Sequence, residues 1–151
     1  MELILWRHAE AKPGLPDLAR ELSAHGREEA RSAAQWLDKR LSAPCRILVS
    51  PARRAQQTAA MLTRPYETVA ALAPETNMTA FLAAIDWPQQ RGLTLVVGHQ
   101  PILGEVAAYL LGESQWMPKT AALCWLKALE PSKKILIPRQ AQATLVTVFA
   151  P

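Results

Sequence analysis

Short runs of continuous apolar residues alternate along this chain with longer segments in which apolar residues recur at helical spacing. LILW (3–6), ILV (47–49) and LTLVV (93–97) are continuous rather than alternating, as expected for strands covered on both faces of a parallel sheet. Between the first two, a helix is predicted over about 24–41. Ala30, Ala33, Ala34, Leu37 and Leu41 share one face, Arg27, Glu28, Arg31 and Lys39 lie elsewhere, and Ser23 can cap the start. Ala55, Thr58, Ala59 and Leu62 repeat the spacing in a second helix, and Leu103, Val106, Ala107, Leu110 and Leu111 in a third, which Gly112 ends. A weaker helix around 76–86 and two late strands, near 121–129 and 143–149, complete the outline. The expected fold is α/β, a three-layer sandwich with a mostly parallel central sheet flanked by helices.

The ends of the three strands carry polar residues that a buried strand does not need. Arg7 and His8 follow the first strand; SPARR follows the second, with Ser50 as the expected cap, Pro51 in the first helical position and Arg54 in the first turn. GHQP follows the third, with His99 just before a helix that Pro101 is expected to start. All three turns face the same edge of the sheet, where ligands bind in open α/β folds and where helix N-termini offer N–H groups to an anion. Two arginines and two histidines converging there would repel each other without a multiply charged anion, and phosphate fits that requirement. An arginine fork matches its oxygens in pairs, and a neutral imidazole can attack phosphorus. One histidine can be neutral while its neighbour is a cation near neutral pH.

Composition narrows the class. At 151 residues the chain is expected to form one domain over 1–151, burying roughly 70% of its unfolded surface. Half the residues are hydrophobic and a fifth are charged, the balance of a soluble globular protein, and no apolar run is long enough to cross a bilayer. Glu2 stands where an export signal would be basic, and Cys45 and Cys124 are too few for a disulfide framework, so a cytoplasmic setting is expected. A net charge of +4 favours anionic ligands, but no dense basic run, zinc spacing or helix-turn-helix signature points to nucleic acid. Lys133 and Lys134 are expected in a solvated turn, EPSKK.

RHAEA, LSAHGREEA, SPARRAQQTA and VVGHQP, in that order and in those strand and helix contexts, resemble the motifs of the histidine phosphatase (phosphoglycerate mutase-like) superfamily. The resemblance runs from Met1 to about Gly112. The short length and the RHA variant of the usual RHG are most similar to the SixA-type phosphohistidine phosphatases. It implies that His8 is a nucleophile forming a phosphohistidine intermediate, that Arg7 and Arg54 clamp the phosphoryl oxygens, and that His99 completes the pocket as a charged donor. Arg53 is read as rim or surface. Neither metal nor cofactor is implied, and Asp17, Asp38 and Asp86 are too scattered to form a magnesium site.

The departures bear on substrate. Many members carry an acidic proton donor just after the family's own third strand; here that stretch, which precedes LTLVV, reads TVAALAPE (68–75), with Ala71 and Leu72 near the expected place and Glu75 a few residues late. A missing acid hinders an alkoxide leaving group more than the nitrogen of a phosphoramidate, which favours phosphohistidine. Asp17 is a fallback donor, with an ordinary turn aspartate as the alternative. Ala9 in place of glycine implies that this position need not have a positive φ. His25, the two cysteines and the five tryptophans are read as structural, while Trp116 and Met117 could line the pocket mouth. The expected substrate is a phosphorylated protein, reached through an open groove; a broad small-molecule phosphomonoesterase and a non-catalytic phospho-ligand module are the alternatives. Neither nucleic acid nor membrane is an expected partner.

Overall fold

The computed structural model describes residues 1–41, 44–113, 115–129 and 141–151. Along the chain it places β1 (Glu2–Arg7), α1 (Ala24–Asp38), β2 (Cys45–Val49), α2 (Arg53–Ala59), β3 (Glu67–Thr68), α3 (Met78–Ala84), β4 (Leu93–Gly98), α4 (Ile102–Leu111), β5 (Leu123–Ala128) and β6 (Ala143–Phe149). The six strands form one sheet in the order β3-β2-β4-β1-β5-β6. β3, β2, β4 and β1 run parallel, and β5 and β6 are added antiparallel beyond β1. The Lys133–Lys134 turn expected from the sequence lies outside the described residues.

The continuous apolar runs are buried on both faces, as their pattern predicts. Leu3 and Leu5 of β1 pack with Phe81, Ile102, Leu103 and Val106 on the α3/α4 side. Ile4 and Trp6 point the other way, against Ala33, Leu37, Ala55 and Ala59 of α1 and α2. This alternation makes the three layers. β1 lies at the centre, flanked by β4 on one side and β5 on the other, so its C-terminal end opens between two other strand ends.

Several helix boundaries differ from expectation: α3 spans Met78–Ala84 within the expected 76–86, and α4 starts at Ile102 rather than at Pro101. α1 ends at Asp38 rather than 41, although Leu41 stays buried because its N–H still reaches the Leu37 carbonyl. Ser23 does cap this helix, accepting the Gly26 N–H at 2.9 Å. α2 begins at Arg53 rather than Pro51, because Ala52 is still extended (ψ 134°) and Ser50 Oγ takes the Ala52 N–H at 3.2 Å. Pro101 precedes α4 as its cap, and Gly112, at φ 71°, closes it in the left-handed conformation.

Candidate active site

The ends of β1, β2 and β4 bring His8, Arg54 and His99 into one cluster, with Arg7 beside them. The His8 N–H continues the sheet ladder to the Gly98 carbonyl at 3.0 Å, and the Ala121 N–H donates to the His8 carbonyl at 3.2 Å. The nucleophile candidate is therefore fixed by backbone on both sides. Its ring centroid lies 5.0 Å from that of His99. Arg54, in the first turn of α2 and 4% exposed, donates from Nε to His8 Nε2 at 3.2 Å and from Nη2 to His99 Nδ1 at 3.4 Å. Arg7 Nη1 donates to the Pro118 carbonyl at 2.9 Å, whereas its Nε is buried with no partner among the described residues. A buried N–H of this kind is an unmet demand for an acceptor.

The bonds fix the state of His8. Nδ1 lies 2.7 Å from the Ala9 carbonyl, which can only accept, so Nδ1 carries the proton. Nε2 then holds the lone pair and faces the Arg54 guanidinium. Burial, and then the neighbouring arginines, push His8 down to about 4, and burial with His8 and Arg54 nearby pushes His99 down to about 3. Both rings are thus neutral near pH 7, not divided into one neutral and one cationic ring as expected. Two cations cannot be added to a buried cluster that already holds arginines unless an anion arrives with them.

Asp17 sits at the rim of this cluster in a short 3-10 turn. Its Oδ2 accepts Arg54 Nη2 and its Oδ1 accepts Arg20 Nη1, both at 3.0 Å, and its backbone carbonyl accepts Arg54 Nη1 at 2.8 Å. The Arg20 and Arg54 hydrogen bonds hold its carboxyl below the usual carboxylate range. The place is the one the sequence suggested for a fallback donor, but the two arginines keep it ionised near neutral pH, which makes it an acceptor. Leu72 is buried in the core and Glu75 is exposed, without a hydrogen bond or ion pair to the site among the described residues.

Four supporting residues escape sequence reasoning. Thr58 Oγ1 accepts the Ala9 N–H at 3.1 Å and donates to the Arg54 carbonyl at 2.8 Å. Ser50, read as a helix cap, instead meets His99 Nε2 at 2.6 Å. Glu29 accepts the Glu10 N–H and the Thr120 hydroxyl, both at 2.9 Å. Gly26 allows α1 to touch the loop after His8, since a Cβ there would come within 2.0 Å of the Glu10 carbonyl oxygen. Each residue type is common, and only its spatial neighbour marks it.

Arg53 is exposed and pairs with Glu21 at 2.6 Å; His25 is exposed and lies 3.4 Å from Glu29. Trp6, Trp87 and Trp125 pack with their indole N–H groups bonded to Ala121 O, Gln142 Oε1 and Glu2 Oε2, and Trp36 stacks on Phe149. Trp116 packs against the core on the α3/α4 side, while Met117 is exposed. Among the described residues no group of three or more His, Cys, Asp or Glu is placed to hold a metal ion.

Comparison with known proteins agrees with this geometry. Residues 3–77 match the histidine phosphatase superfamily (branch 1). The chain is 30% identical to the phosphohistidine phosphatase SixA homolog of Haemophilus influenzae, covering 83% of this chain and 88% of the relative. It is also 30% identical to phosphohistidine phosphatase SixA of Escherichia coli K12, covering 82% and 83%. The solved structure of the protein histidine phosphatase SixA complexed with tungstate superposes with a TM-score of 0.83 at 26% identity, covering 99% of this chain and 97% of that one. A cluster of arginines and histidines at three strand ends, on this sheet and in this motif order, makes the chain a SixA-like member of the histidine phosphatase superfamily and a phosphatase.

Proposed function

We propose that the protein, acting as a single domain over 1–151, hydrolyses phosphohistidine carried on another protein through a covalent phosphohistidine on its own His8. One observation carries the reading: His8 Nδ1–H is held by the Ala9 carbonyl at 2.7 Å while the Nε2 lone pair faces Arg54 at 3.2 Å. A phosphoryl group entering between Arg54 and His99 displaces the bond at Nε2, which then attacks phosphorus in line. The bond from phosphorus to the leaving group breaks and its electron pair departs with that group. His8, phosphorylated at Nε2 and still protonated at Nδ1, is a cation whose proton the Ala9 carbonyl holds. Water next attacks phosphorus, the P–Nε2 electron pair returns to the ring, and dihydrogen phosphate leaves.

Arg7 and Arg54 share the equatorial oxygens, and the unpartnered Arg7 Nε is one of the donors available for them. His99 takes up a proton at Nδ1 as the dianion arrives, because a nearby negative charge raises an imidazole pKa. Catalysis is then mostly positioning and charge stabilisation, with no step that calls for a metal or cofactor. Two further features support a protein-borne substrate. The loops that reach the site through Asp17 and Pro118 carry Leu15, Leu18 and Met117, which are 95%, 51% and 74% exposed. A relative of similar span is named for phosphohistidine. The two thiols lie on β2 and β5, three strand positions apart and beyond disulfide reach, which fits the cytoplasm.

The test is phosphate release at neutral pH, with a chelator present, from a histidine-phosphorylated protein and from p-nitrophenyl phosphate, comparing wild type with His8→Ala. Preferential release from the protein, abolished in the variant, is expected. Retained activity in His8→Ala would overturn the mechanism, and a preference for the ester would make the protein a general phosphomonoesterase.

A further inference from the structure

The carboxylate at the rim has no part in the steps above, yet it shares a guanidinium with the attacking nitrogen. Arg54 contacts His8 through Nε and Asp17 through Nη1 and Nη2, so nucleophile and carboxylate stand on two sides of one planar group. Depth orders them. The half-buried His8 lies against His99 and Arg54, which are 2% and 4% exposed, whereas the Asp17 side chain is 49% exposed. In-line displacement sends the leaving group away from His8, outward, toward the side on which Asp17 lies.

We infer that the Asp17 carboxylate accepts the ring N–H of the substrate's own phosphohistidine, and thereby selects an imidazole leaving group over an alcohol. The inference rests on the reading of the protein as a phosphohistidine phosphatase. A phosphorylated imidazole protonated on its other ring nitrogen is already activated. When His8 Nε2 bonds to phosphorus and the substrate P–N bond breaks, the electron pair stays on the nitrogen that held the phosphoryl group. The cationic ring becomes a neutral imidazole that keeps its N–H, and no further proton has to be delivered. An ionised carboxylate on that N–H favours the cationic, reactive form of the substrate. The arrangement mirrors the Ala9 carbonyl on His8 Nδ1–H: each of the two imidazoles that exchange the phosphoryl group has its own acceptor.

With an alkoxide leaving group the same carboxylate works against the reaction. It has no proton to give, and its charge opposes the charge developing on oxygen. Asp17 is thus a specificity-determining group, and the superfamily's missing acid after β3 is a consistent absence rather than a defect.

The experiment compares wild type, Asp17→Asn and Asp17→Ala on a histidine-phosphorylated protein and on p-nitrophenyl phosphate across pH. Asparagine keeps one oxygen for Arg54 Nη2, gives up the acceptor that Asp17 Oδ1 offers Arg20, and removes the charge; the Asp17 backbone carbonyl still accepts Arg54 Nη1. The ratio of kcat/KM for the phosphohistidine protein to that for the ester is expected to fall by about tenfold or more in Asp17→Asn, the loss of a charge-assisted hydrogen bond. The alkaline limb of the phosphohistidine reaction should also move to lower pH, because the substrate ring then loses its proton sooner. An equal fall on both substrates would overturn the inference and leave Asp17 as a support for Arg54; a larger fall on the ester would overturn it and make Asp17 a proton donor. Absence of phosphohistidine hydrolysis by the wild type would instead remove the proposed function on which it rests.

Discussion

The Ala9 N–H donates to Thr58 Oγ1 across 49 residues of sequence, and the same hydroxyl donates to the carbonyl of Arg54. One threonine on α2 therefore ties the loop behind the nucleophile to the turn that carries its arginine. Thr58→Val keeps the volume and removes both bonds, leaving a buried N–H unpaired at a cost of about 1–3 kcal/mol. Because the displacement is transmitted to His8 and Arg54 together, kcat/KM should fall by about tenfold to a hundredfold. Urea unfolding and steady-state kinetics on the same samples check both, and a stability loss with unchanged kinetics would separate the fold from the site.

Gly26 gives a second, steric test. A Cβ at this position would meet the Glu10 carbonyl oxygen at 2.0 Å, and that oxygen already accepts the Ser23 N–H at 3.0 Å. Backbone cannot move aside as a flexible side chain does, so Gly26→Ala should destabilise the protein by about 1–3 kcal/mol. It should also lower activity by pushing the loop after His8 outward. Thermal unfolding of the variant, with activity measured well below its midpoint, distinguishes the two effects.

Acid should weaken the fold in a defined window. The unfolded chain protonates its histidines near pH 6.5, but the folded protein holds His8 neutral down to about 4 and His99 down to about 3. Between those limits the unfolded state binds more protons, so stability is greatest above about pH 6.5 and declines as pH falls toward 4. The decline from these two rings is on the order of a few kcal/mol. Urea midpoints measured from about pH 7.5 down to about pH 4.5 should drop, and inorganic phosphate, the product of the proposed reaction, should oppose the drop by stabilising the protonated rings. A midpoint independent of pH in this window would contradict the buried, neutral histidine pair.

Thiol reagents should leave the enzyme alone. Burial pushes Cys45 up to about 11 and Cys124 up to about 12, so neither offers appreciable thiolate near neutral pH. Iodoacetamide treatment of the native protein is expected to leave phosphate release unchanged. Inactivation faster than unfolding would place a thiol in the chemistry.

The convergence of His8, Arg54 and His99, with Arg7 beside them, was legible because strand, turn and helix follow one another in a fixed order, and that order puts the end of each parallel strand at one edge. The layers were legible for a similar reason, since continuous apolar runs such as LILW can be buried on both sides. Thr58, Ser50, Glu29 and Gly26 were not legible, because what defines each is a partner far away in sequence. Ser50 shows the difficulty well. A serine before a proline reads locally as a helix cap, yet His99 and the Ala52 amide claim its hydroxyl and the helix starts two residues later than the cap would place it. Asp17 could be named from the sequence, but its charge state depends on Arg20 and Arg54, which flank it only in the fold.

The groups described around the candidate site come from Arg7 to Ala9, Asp17, Ser50, Arg54 to Thr58, His99 and Pro118, spread over most of the chain. No fragment that lacks part of the stretch from Arg7 to Pro118 contains them all. A partly folded form with the sheet assembled but α2 undocked would lack both the arginine and the threonine that anchors it. Recovery of turnover during refolding should therefore lag behind recovery of secondary structure, and enzymatic rate becomes a direct gauge of how many molecules have completed their tertiary packing.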